Sequence, residues 1–475
     1  MLMNKVGAAV AIGLLALESI TSHAGVDVSK IIETCPFVIE ANIHSYYDTI
    51  SYSGERKSIE QISDDISGYG KYCGKTKGMP TEEFEEALSY RWEDLTPRTS
   101  KKVKKAKFDL TKQYTYEDMC SVMKTMAYTD GVYLVKIGQT TSGKDMMSVI
   151  IDMTTRGKKA STAEHTVLLT GQVHARETGG ASFIMKELVD LVNAYNDDDE
   201  ATVEMLKHTR FVTVPCINAD GHDGIGFDVE NWTYSDGTLW KATSSGTDIN
   251  RNFPGLSWMM LKEGYEQTPY KSSTPDKVYY WGDYGGSANE TKALIKFYQF
   301  WIGYKKAELL IDYHQQGRII YTGKGYGYTL MNDNCEAFAE AAVEMQKLGK
   351  SGKGYYIDPD DEKESYGKDG TGSTNTDYAW AVALGAKFST QYGFSVYTDK
   401  DGIEYPLVMV GSRDNKDVDF SDILNPEFIS MSWEIGYGGD YLGYKESTLK
   451  LIEKEYYNYN FDEMLYFYSD YLMNR

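Results

Sequence analysis

His174 and Glu177 are the first residues whose types and spacing could hold a metal ion. They follow the apolar run Thr166–Thr170, which is bounded by Gly171 and predicts a short buried strand. Two potential ligands three residues apart, placed just beyond a rigid strand, can converge on one ion. A chain with seven histidines produces such a pair by chance so readily that the spacing alone is weak support.

Three further polar groups stand at or just beyond the ends of apolar runs. They are the segment Asp248–Arg251, His314 after the run Ala307–Tyr313, and Glu434 after the run Phe428–Trp433. In open α/β sheets ligands bind at the carboxyl ends of the strands, so these segments are expected to meet in one place. Two histidines and one glutamate form a zinc set that leaves a fourth position for water, and another carboxylate can take that water's proton.

The elements that must position these groups alternate between helix and strand from about Lys112 onward. This alternation predicts an α/β sheet with helices packed on its faces. Besides the run before His174, the predicted strands are Val132–Ile137, Met147–Ile151, Phe211–Ile217, Ala307–Tyr313 and Phe428–Trp433. The predicted helices are Thr115–Met126, Ala181–Leu191, one that runs from a capping box at Ser287 toward Trp301, Asn334–Leu348, and one that begins at Ser447.

Four segments together resemble the zinc carboxypeptidases of the carboxypeptidase A type. They are His174-Ala175-Arg176-Glu177, Asp248-Ile249-Asn250-Arg251-Asn252-Phe253, the strand-terminal His314, and Glu434-Ile435-Gly436. The resemblance covers roughly residues 112 to 470, and the order and spacing of the segments make it specific. It implies a catalytic domain over residues 111–475 with a mixed, mostly parallel central sheet and helices on both faces, preceded by a smaller N-terminal region.

The resemblance implies one zinc ion with His174, Glu177 and His314 as its ligands. Glu434 is then the general base and later the acid, and Asp248 is the carboxylate that orients the first histidine through its other ring nitrogen. Plainer interpretations stay open for both carboxylates. Glu434 could be a carboxylate at a solvated strand end, and Asp248 could be a turn aspartate.

Substrate contacts are implied for three more residues. Asn250 and Arg251 match the pair that holds the substrate's terminal carboxylate, for which a guanidinium fork is geometrically suited. Arg176 matches a position that contacts the peptide further from the cut. A surface salt bridge is the alternative for Arg176.

A mobile tyrosine that closes over the substrate is implied by the same resemblance. Tyr366 matches it, and Tyr392 and Tyr397 are competitors in a chain with 39 tyrosines. Thr374, in the loop that follows Tyr366, is expected near the pocket for the terminal side chain.

Lys241 marks the clearest departure from the family pattern, which has an arginine after the tryptophan to stabilise the oxyanion. An ammonium group supplies the charge without the forked geometry. Either Lys241 substitutes for the arginine in catalysis, or this short segment is not equivalent to the family's.

Composition and the N-terminal residues indicate which partners are excluded and where the protein is expected to act. The 475 residues carry a net charge of −21 and a pI near 4.9, which excludes a dominant basic face for nucleic acid. Residues 1–24 combine Lys5, an apolar run and a small-x-small motif, which predicts a secretory signal peptide, with a membrane anchor as the alternative. We expect a secreted or periplasmic monomer without stable membrane insertion after signal removal, acting on peptide or protein C-termini.

Residues 25–110 form the expected N-terminal region, and six basic residues lie between Arg98 and Lys107. This basic cluster is interpreted either as a cleavage site that releases a prosegment or as an ordinary solvated linker. Five cysteines leave at least one unpaired in an exported protein. Cys35 and Cys73 are the expected disulfide, and Cys216 is the expected buried thiol.

The sequence therefore predicts a secreted zinc metallocarboxypeptidase that uses an activated water with Glu434 as general base. Two alternatives stay open. One is an amidase or peptidase acting on cell-wall peptides with the same fold and metal. The other is a catalytically silent protein that binds peptide ends, for which Lys241 is the one supporting feature.

Overall fold

The computed structural model describes residues 105–156, 161–253, 272, 274–275, 278–283, 286–322, 333–358, 374–376, 378–379, 382–383, 395–398, 404–407 and 428–475. The predicted signal peptide and most of the predicted N-terminal region lie outside these residues, as do Cys35, Cys73, Tyr366 and Tyr392. Within the described ranges, no helix combines the length and the apolar character needed to cross a bilayer.

Ten strands form in the described residues. They are β1 (Val132–Gln139), β2 (Asp145–Ile151), β3 (His165–Gly171), β4 (Thr209–Val214), β5 (Leu309–His314), β6 (Ile319–Thr322), β7 (Tyr356–Asp358), β8 (Ser395–Thr398), β9 (Glu404–Leu407) and β10 (Ile429–Glu434). Eight of them build one sheet in the order β1-β2-β4-β3-β5-β10-β6-β7, and β8 pairs with β9. All the predicted strands are present, with shifted ends.

The large sheet is mixed and mostly parallel, as predicted. Its parallel pairs are β4 with β3, β3 with β5, β5 with β10, and β6 with β7. The antiparallel pairs are β1 with β2, β2 with β4, and β10 with β6. The predicted strand Phe211–Ile217 ends early, at Val214, because Pro215 has no N–H to donate to the ladder.

The helices in the described residues are α1 (Tyr116–Met126), α2 (Thr178–Asn196), α3 (Glu200–Met205), α4 (Ala219–Phe227), α5 (Asn289–Tyr298), α6 (Asp333–Gln346), α7 (Glu446–Asn458) and α8 (Met464–Met473). A π-helical segment, Gln299–Tyr304, continues α5. Thr115 and Asp118 form a reciprocal capping box that begins α1. The five predicted helices are present, but the terminal helix predicted from Ser447 ends at Asn458 and a separate α8 follows after the left-handed Asn460. The short α3, the glycine-rich α4 and α8 were not predicted.

Apolar cores lie on both faces of the large sheet. Successive strand residues point to opposite faces, and in β3 Val167 and Leu169 belong to one core while Leu168 belongs to the other. Side chains from α1, α2, α6, α7 and α8 fill the first core, and α5 with its π-helical extension fills the second. Helices therefore cover both faces, as expected. Cys216 is a buried free thiol, which was also expected.

Candidate metal and catalytic site

The predicted site residues converge at the carboxyl ends of β3, β5 and β10. His314 is the last residue of β5, Glu434 is the last residue of β10, and the two are register partners. His174 follows the end of β3 by three residues, and Glu177 is the residue immediately before α2. The strands thus bring together segments that lie far apart in the sequence, which is the arrangement that the strand-end pattern predicted.

Two glycines allow helix α2 to begin so close to β5. A Cβ atom at Gly179 would lie 2.8 Å from the Gln315 side-chain nitrogen, and one at Gly180 would lie 2.6 Å from the Tyr313 carbonyl oxygen. Only glycine fits at Gly180, where the contact is with backbone, whereas a side chain at Gly179 would require the end of the Gln315 side chain to move. The pair that follows Glu177 in the sequence therefore lets the start of α2 pack directly against the end of β5.

His174, Glu177 and His314 form a compact, buried set of metal-ligand side chains. One ligand atom from each lies within 4.8 Å of the others. His174 Nδ1 lies 2.8 Å from Glu177 Oε1, His314 Nδ1 lies 2.9 Å from Glu177 Oε2, and the two Nδ1 atoms are 3.2 Å apart. The predicted ligand set is thus assembled around one small volume.

The other ring nitrogen of each histidine faces a buried aspartate. His174 Nε2 lies 3.2 Å from Asp248 Oδ1, and His314 Nε2 lies 2.8 Å from Asp312 Oδ2. Each aspartate can accept a hydrogen bond from Nε2–H, so both rings can keep a proton on Nε2 while Nδ1 faces the Glu177 carboxylate. The two Nδ1 atoms and the carboxylate therefore border one small volume in which a proton or a metal cation would be stabilised.

The electrostatics of the set also favour a cation. Burial lowers the pKa of His314, but Asp312 and Glu177 outweigh burial and raise that pKa well above its usual value. Burial raises the pKa of Glu177, but His174 and His314 hold it well below its usual value. Two imidazoles and one ionised carboxylate, with a preference for positive charge, suit a zinc ion.

Glu177 is held from the β5 side by Gln315, which the sequence did not single out. The Gln315 N–H donates to Glu177 Oε2 at 3.1 Å, and the Gln315 side-chain oxygen accepts from the Gly179 N–H at 2.6 Å. The Gln315 amide also donates to the Tyr441 carbonyl at 2.9 Å. The first bond ties the Glu177 carboxylate to the end of β5, and the other two tie the Gln315 side chain to the start of α2 and to Tyr441.

The pKa of the Glu434 carboxyl group is raised toward neutral pH. The residue is partly exposed, but its Oε2 atom is buried and has no hydrogen-bond partner among the described residues. Burial, followed by repulsion from Glu177, raises the pKa of Glu434 to about 7. A fully solvated strand-end carboxylate is not expected to show this shift.

Asp248 anchors a short turn that carries the predicted carboxylate-binding residues. Ile249–Arg251 form a 3₁₀ turn that begins at Asp248, whose Oδ1 accepts from the Asn250 N–H at 2.9 Å. The Asn250 amide nitrogen lies 3.5 Å from His314 Nε2, and Arg251 donates to the Asn250 carbonyl at 2.8 Å. The turn places Asn250 next to the metal-ligand set.

Lys241 lies on the other side of Asp248. Its Nζ is 3.3 Å from Asp248 Oδ2, an ion pair without hydrogen-bond geometry, and 4.9 Å from the centre of the Tyr279 ring. Burial lowers the pKa of Lys241, and Asp248 opposes part of that shift. Burial raises the pKa of Asp248, but Lys241 and His174 hold it well below its usual value. The departure from the family pattern is therefore a buried cation beside the site.

The remaining predicted residues are placed only in part. Arg176 is partly buried and donates to the Leu239 carbonyl at 3.5 Å. Tyr366 and the side chain of Tyr397 lie outside the described residues. Thr374 is buried, and the neighbouring Asn375 N–H donates to Asn250 Oδ1 at 2.8 Å. Asn375, which follows Thr374, thus contacts the predicted carboxylate-binding turn.

Comparison with known proteins matches residues 119–407 to a family model described as zinc carboxypeptidase. The matched range contains the three metal-ligand residues and ends before Glu434. Among curated relatives, carboxypeptidase Z of Rattus norvegicus is 27% identical over 188 residues, 39% of this chain and 28% of that protein. Carboxypeptidase B2 of Bos taurus is 25% identical over 268 residues, 54% of this chain and 57% of that protein.

Another relative is described as inactive. It is the inactive metallocarboxypeptidase ECM14 of Saccharomyces cerevisiae, 25% identical over 233 residues, 46% of this chain and 49% of that protein. The chain therefore spans less than a third of carboxypeptidase Z and about half of the other two relatives. Among solved structures, bovine thrombin-activatable fibrinolysis inhibitor in complex with tick carboxypeptidase inhibitor shares the fold at 18% identity, with a TM-score of 0.50 over 74% of this chain and 96% of that one.

Proposed function

This chain belongs to the zinc carboxypeptidase family, and we propose that it is an active, exported enzyme that removes C-terminal residues from peptides with one zinc ion. The observation that carries this proposal is the convergence of His174, Glu177 and His314 beside Glu434 at one edge of the sheet. Export rests on the predicted signal peptide at residues 1–24, and residues 25–110 are proposed as a prosegment.

His174, Glu177 and His314 would hold the zinc ion, which when bound polarises a carbonyl group and lowers the pKa of a water molecule. Asp248 would keep the His174 proton on Nε2 and so leave the other ring nitrogen available to bind the ion. Gln315 keeps the Glu177 carboxylate in place. These contacts orient the ligands before the substrate binds.

Glu434 would take the proton from the attacking water and deliver it to the departing amine. A general base works best when its pKa lies near the operating pH, and a value of about 7 meets that condition. The buried, unpartnered Oε2 also leaves one carboxylate oxygen available for the water within the described part of the site.

Arg251 and Asn250 would bind the terminal carboxylate and so select exopeptidase cleavage. The 3₁₀ turn holds both residues next to His314, which would place the last peptide bond near the ion. Lys241 would stabilise the developing charge on the carbonyl oxygen as a point charge in a buried position. Arg176 is proposed to contact the peptide further from the scissile bond. Tyr366 is proposed to close over the substrate.

A catalytically silent peptide-binding protein is the second candidate, because one relative is described as inactive and Lys241 replaces the family's arginine. The complete ligand set and the raised pKa of Glu434 favour an active enzyme. Cell-wall peptides stay an alternative substrate, because their stems also carry free carboxylates for Arg251 to bind.

The test is hydrolysis by the purified chain of N-blocked dipeptides, the same dipeptides as C-terminal amides, and cell-wall peptide fragments, each with and without a chelator. Chelator-sensitive release from free-acid dipeptides but not from amides would support the proposal. Turnover of wall fragments alone would support the cell-wall alternative. Bound zinc without turnover of any substrate would support the silent binding protein.

A further inference from the structure

Asp312 is a buried carboxylate that contacts a proposed zinc ligand and was not among the predicted site residues. It lies two residues before His314 in β5, so both side chains lie on the same face of the strand. Asp312 Oδ2 lies 2.8 Å from His314 Nε2, and Asp312 Oδ1 accepts from the Thr170 hydroxyl at 2.8 Å. Both carboxylate oxygens are therefore engaged.

The sheet itself fixes this arrangement. Thr170 in β3 is the register partner of Asp312 in β5, and both residues are buried in the middle of the sheet. The Thr170 hydroxyl donates to Asp312 and accepts from the Asn375 amide at 3.2 Å. Asn375 in turn accepts from the Tyr298 hydroxyl at 2.7 Å. Donation thus runs from Tyr298 through Asn375 and Thr170 to Asp312, and Asp312 also accepts from His314 Nε2–H.

We propose that Asp312 is a positioning residue that holds His314 in the tautomer and orientation needed to bind zinc. A carboxylate that accepts a hydrogen bond from Nε2–H leaves Nδ1, on the side of Glu177 and His174, available to bind the ion. The same hydrogen bond makes the imidazole a stronger metal ligand. Asp248 makes the equivalent contact with His174. The two histidines are thus set by separate aspartates, one from a turn and one from the same strand as its histidine.

The same hydrogen bonds connect Asp312 to the carboxylate-binding turn. The Asn375 N–H donates to Asn250 Oδ1 at 2.8 Å, so the Asn250 amide presents its nitrogen toward His314. The zinc ligand and the proposed substrate-binding amide are therefore positioned by one continuous buried network. This role for Asp312 rests on the proposed function only in requiring that the chain bind zinc.

Glu187 provides a matched control. It is a buried carboxylate beside Tyr313, the residue between Asp312 and His314, but it faces the opposite side of β5 and contacts the Tyr313 hydroxyl at 3.3 Å. Replacing the Glu187 carboxyl group with an amide therefore tests the general effect of altering a buried carboxyl group next to β5. Any loss of zinc affinity specific to Asp312 would then reflect its contact with His314.

The experiment measures the zinc dissociation constant by competition with a chelator in the full chain, for wild type, Asp312→Asn, Thr170→Val and Glu187→Gln. We expect Asp312→Asn to weaken zinc binding about 10- to 100-fold, the range seen when such outer contacts are lost. Thr170→Val should weaken it less, because the carboxylate remains but loses one hydrogen bond. Glu187→Gln should leave it unchanged. Circular dichroism and thermal unfolding of the metal-free proteins check that each variant is folded.

Wild-type zinc affinity in folded Asp312→Asn would overturn the proposal, and so would an equal loss in Glu187→Gln. If Asp312→Asn does not fold, Thr170→Val carries the test, and unchanged affinity in that variant would contradict the role. A chain that binds zinc, shows the Asp312 effect and hydrolyses no peptide would refute the proposed function while supporting this inference. A wild-type chain that binds no zinc would refute both.

Discussion

Glu434 and His314 are register partners at the carboxyl ends of the parallel strands β10 and β5. A proposed zinc ligand and a proposed general base are therefore held by backbone hydrogen bonds between adjacent strands, and no loop has to position either residue. Rigid strands set catalytic groups more accurately than loops do. This pairing explains how an activated water could lie within reach of a base without a conformational change of the sheet.

Lys241→Ala should lower kcat about 100- to 1,000-fold, the range seen when an oxyanion-stabilising group is lost. Lys241→Arg should retain most of the activity, because the positive charge beside Asp248 is kept. Steady-state kinetics on an N-blocked dipeptide, with zinc content measured in parallel, separates catalysis from metal loss. Lys144, another lysine paired with an aspartate, serves as the control through Lys144→Ala. If neither Lys241 variant lost rate, Lys241 would have no role in the mechanism.

Arg251→Ala should remove the preference for substrates with a free terminal carboxylate. Truncating one partner of a buried charge pair costs about 2–5 kcal/mol. We therefore expect kcat/KM for free-acid dipeptides to fall by the factor to which this free energy corresponds. Arg251→Lys should recover part of the lost kcat/KM, because lysine keeps the positive charge but lacks the forked guanidinium geometry. Comparing each dipeptide with its amide is the measurement. A variant that still discriminated fully between acid and amide would show that another residue binds the carboxylate.

Removing the Glu434 charge should stabilise the metal-free protein at alkaline pH. Burial and Glu177 raise the pKa of Glu434 from 4.5 to about 7, so its folded form binds the proton more tightly than the unfolded chain. The contribution of this group to the free energy of unfolding is fully present below pH 4.5 and is lost as the pH rises through about 7. The loss amounts to at most about 3 kcal/mol.

Unfolding of wild type and Glu434→Gln in the presence of a chelator tests this directly. The variant should be more stable than wild type at about pH 8, and the gap should shrink toward pH 4.5. A gap that is independent of pH would mean that the Glu434 carboxyl titrates normally in the folded protein. The raised pKa of Glu434 also predicts that kcat/KM falls as the pH decreases and Glu434 becomes protonated. In the zinc-bound protein this protonation should occur at a lower pH than in the metal-free protein.

Much of the site was predictable because its residues stand at strand ends. His174, His314 and Glu434 each follow an apolar run, and parallel strands bring their carboxyl ends to one edge of the sheet. Asp312 was overlooked because it lies inside the apolar run that defines β5. Its position two residues before His314 is a signal that could have identified it, since both side chains must share a face.

Asn375 and Gln315 carried no such signal. Asn375 contacts Asn250 across a separation of 125 residues, and only the folded sheet brings the two together. Gln315 acts through its backbone N–H as well as its side chain, and sequence patterns do not report backbone contacts of this kind. The fold class followed from the alternation of helices and strands, whereas α4 was missed because its three glycines lower helix propensity.

The most direct test of the account is zinc content and turnover of one N-blocked dipeptide, measured on the same preparations of wild type and Glu434→Gln. The account predicts one zinc ion per chain in both proteins, because Glu434 is not a ligand, and loss of at least about 100-fold in kcat in the variant. Turnover retained in Glu434→Gln would contradict the assignment of the base. A wild-type chain without zinc would contradict the assignment of His174, Glu177 and His314.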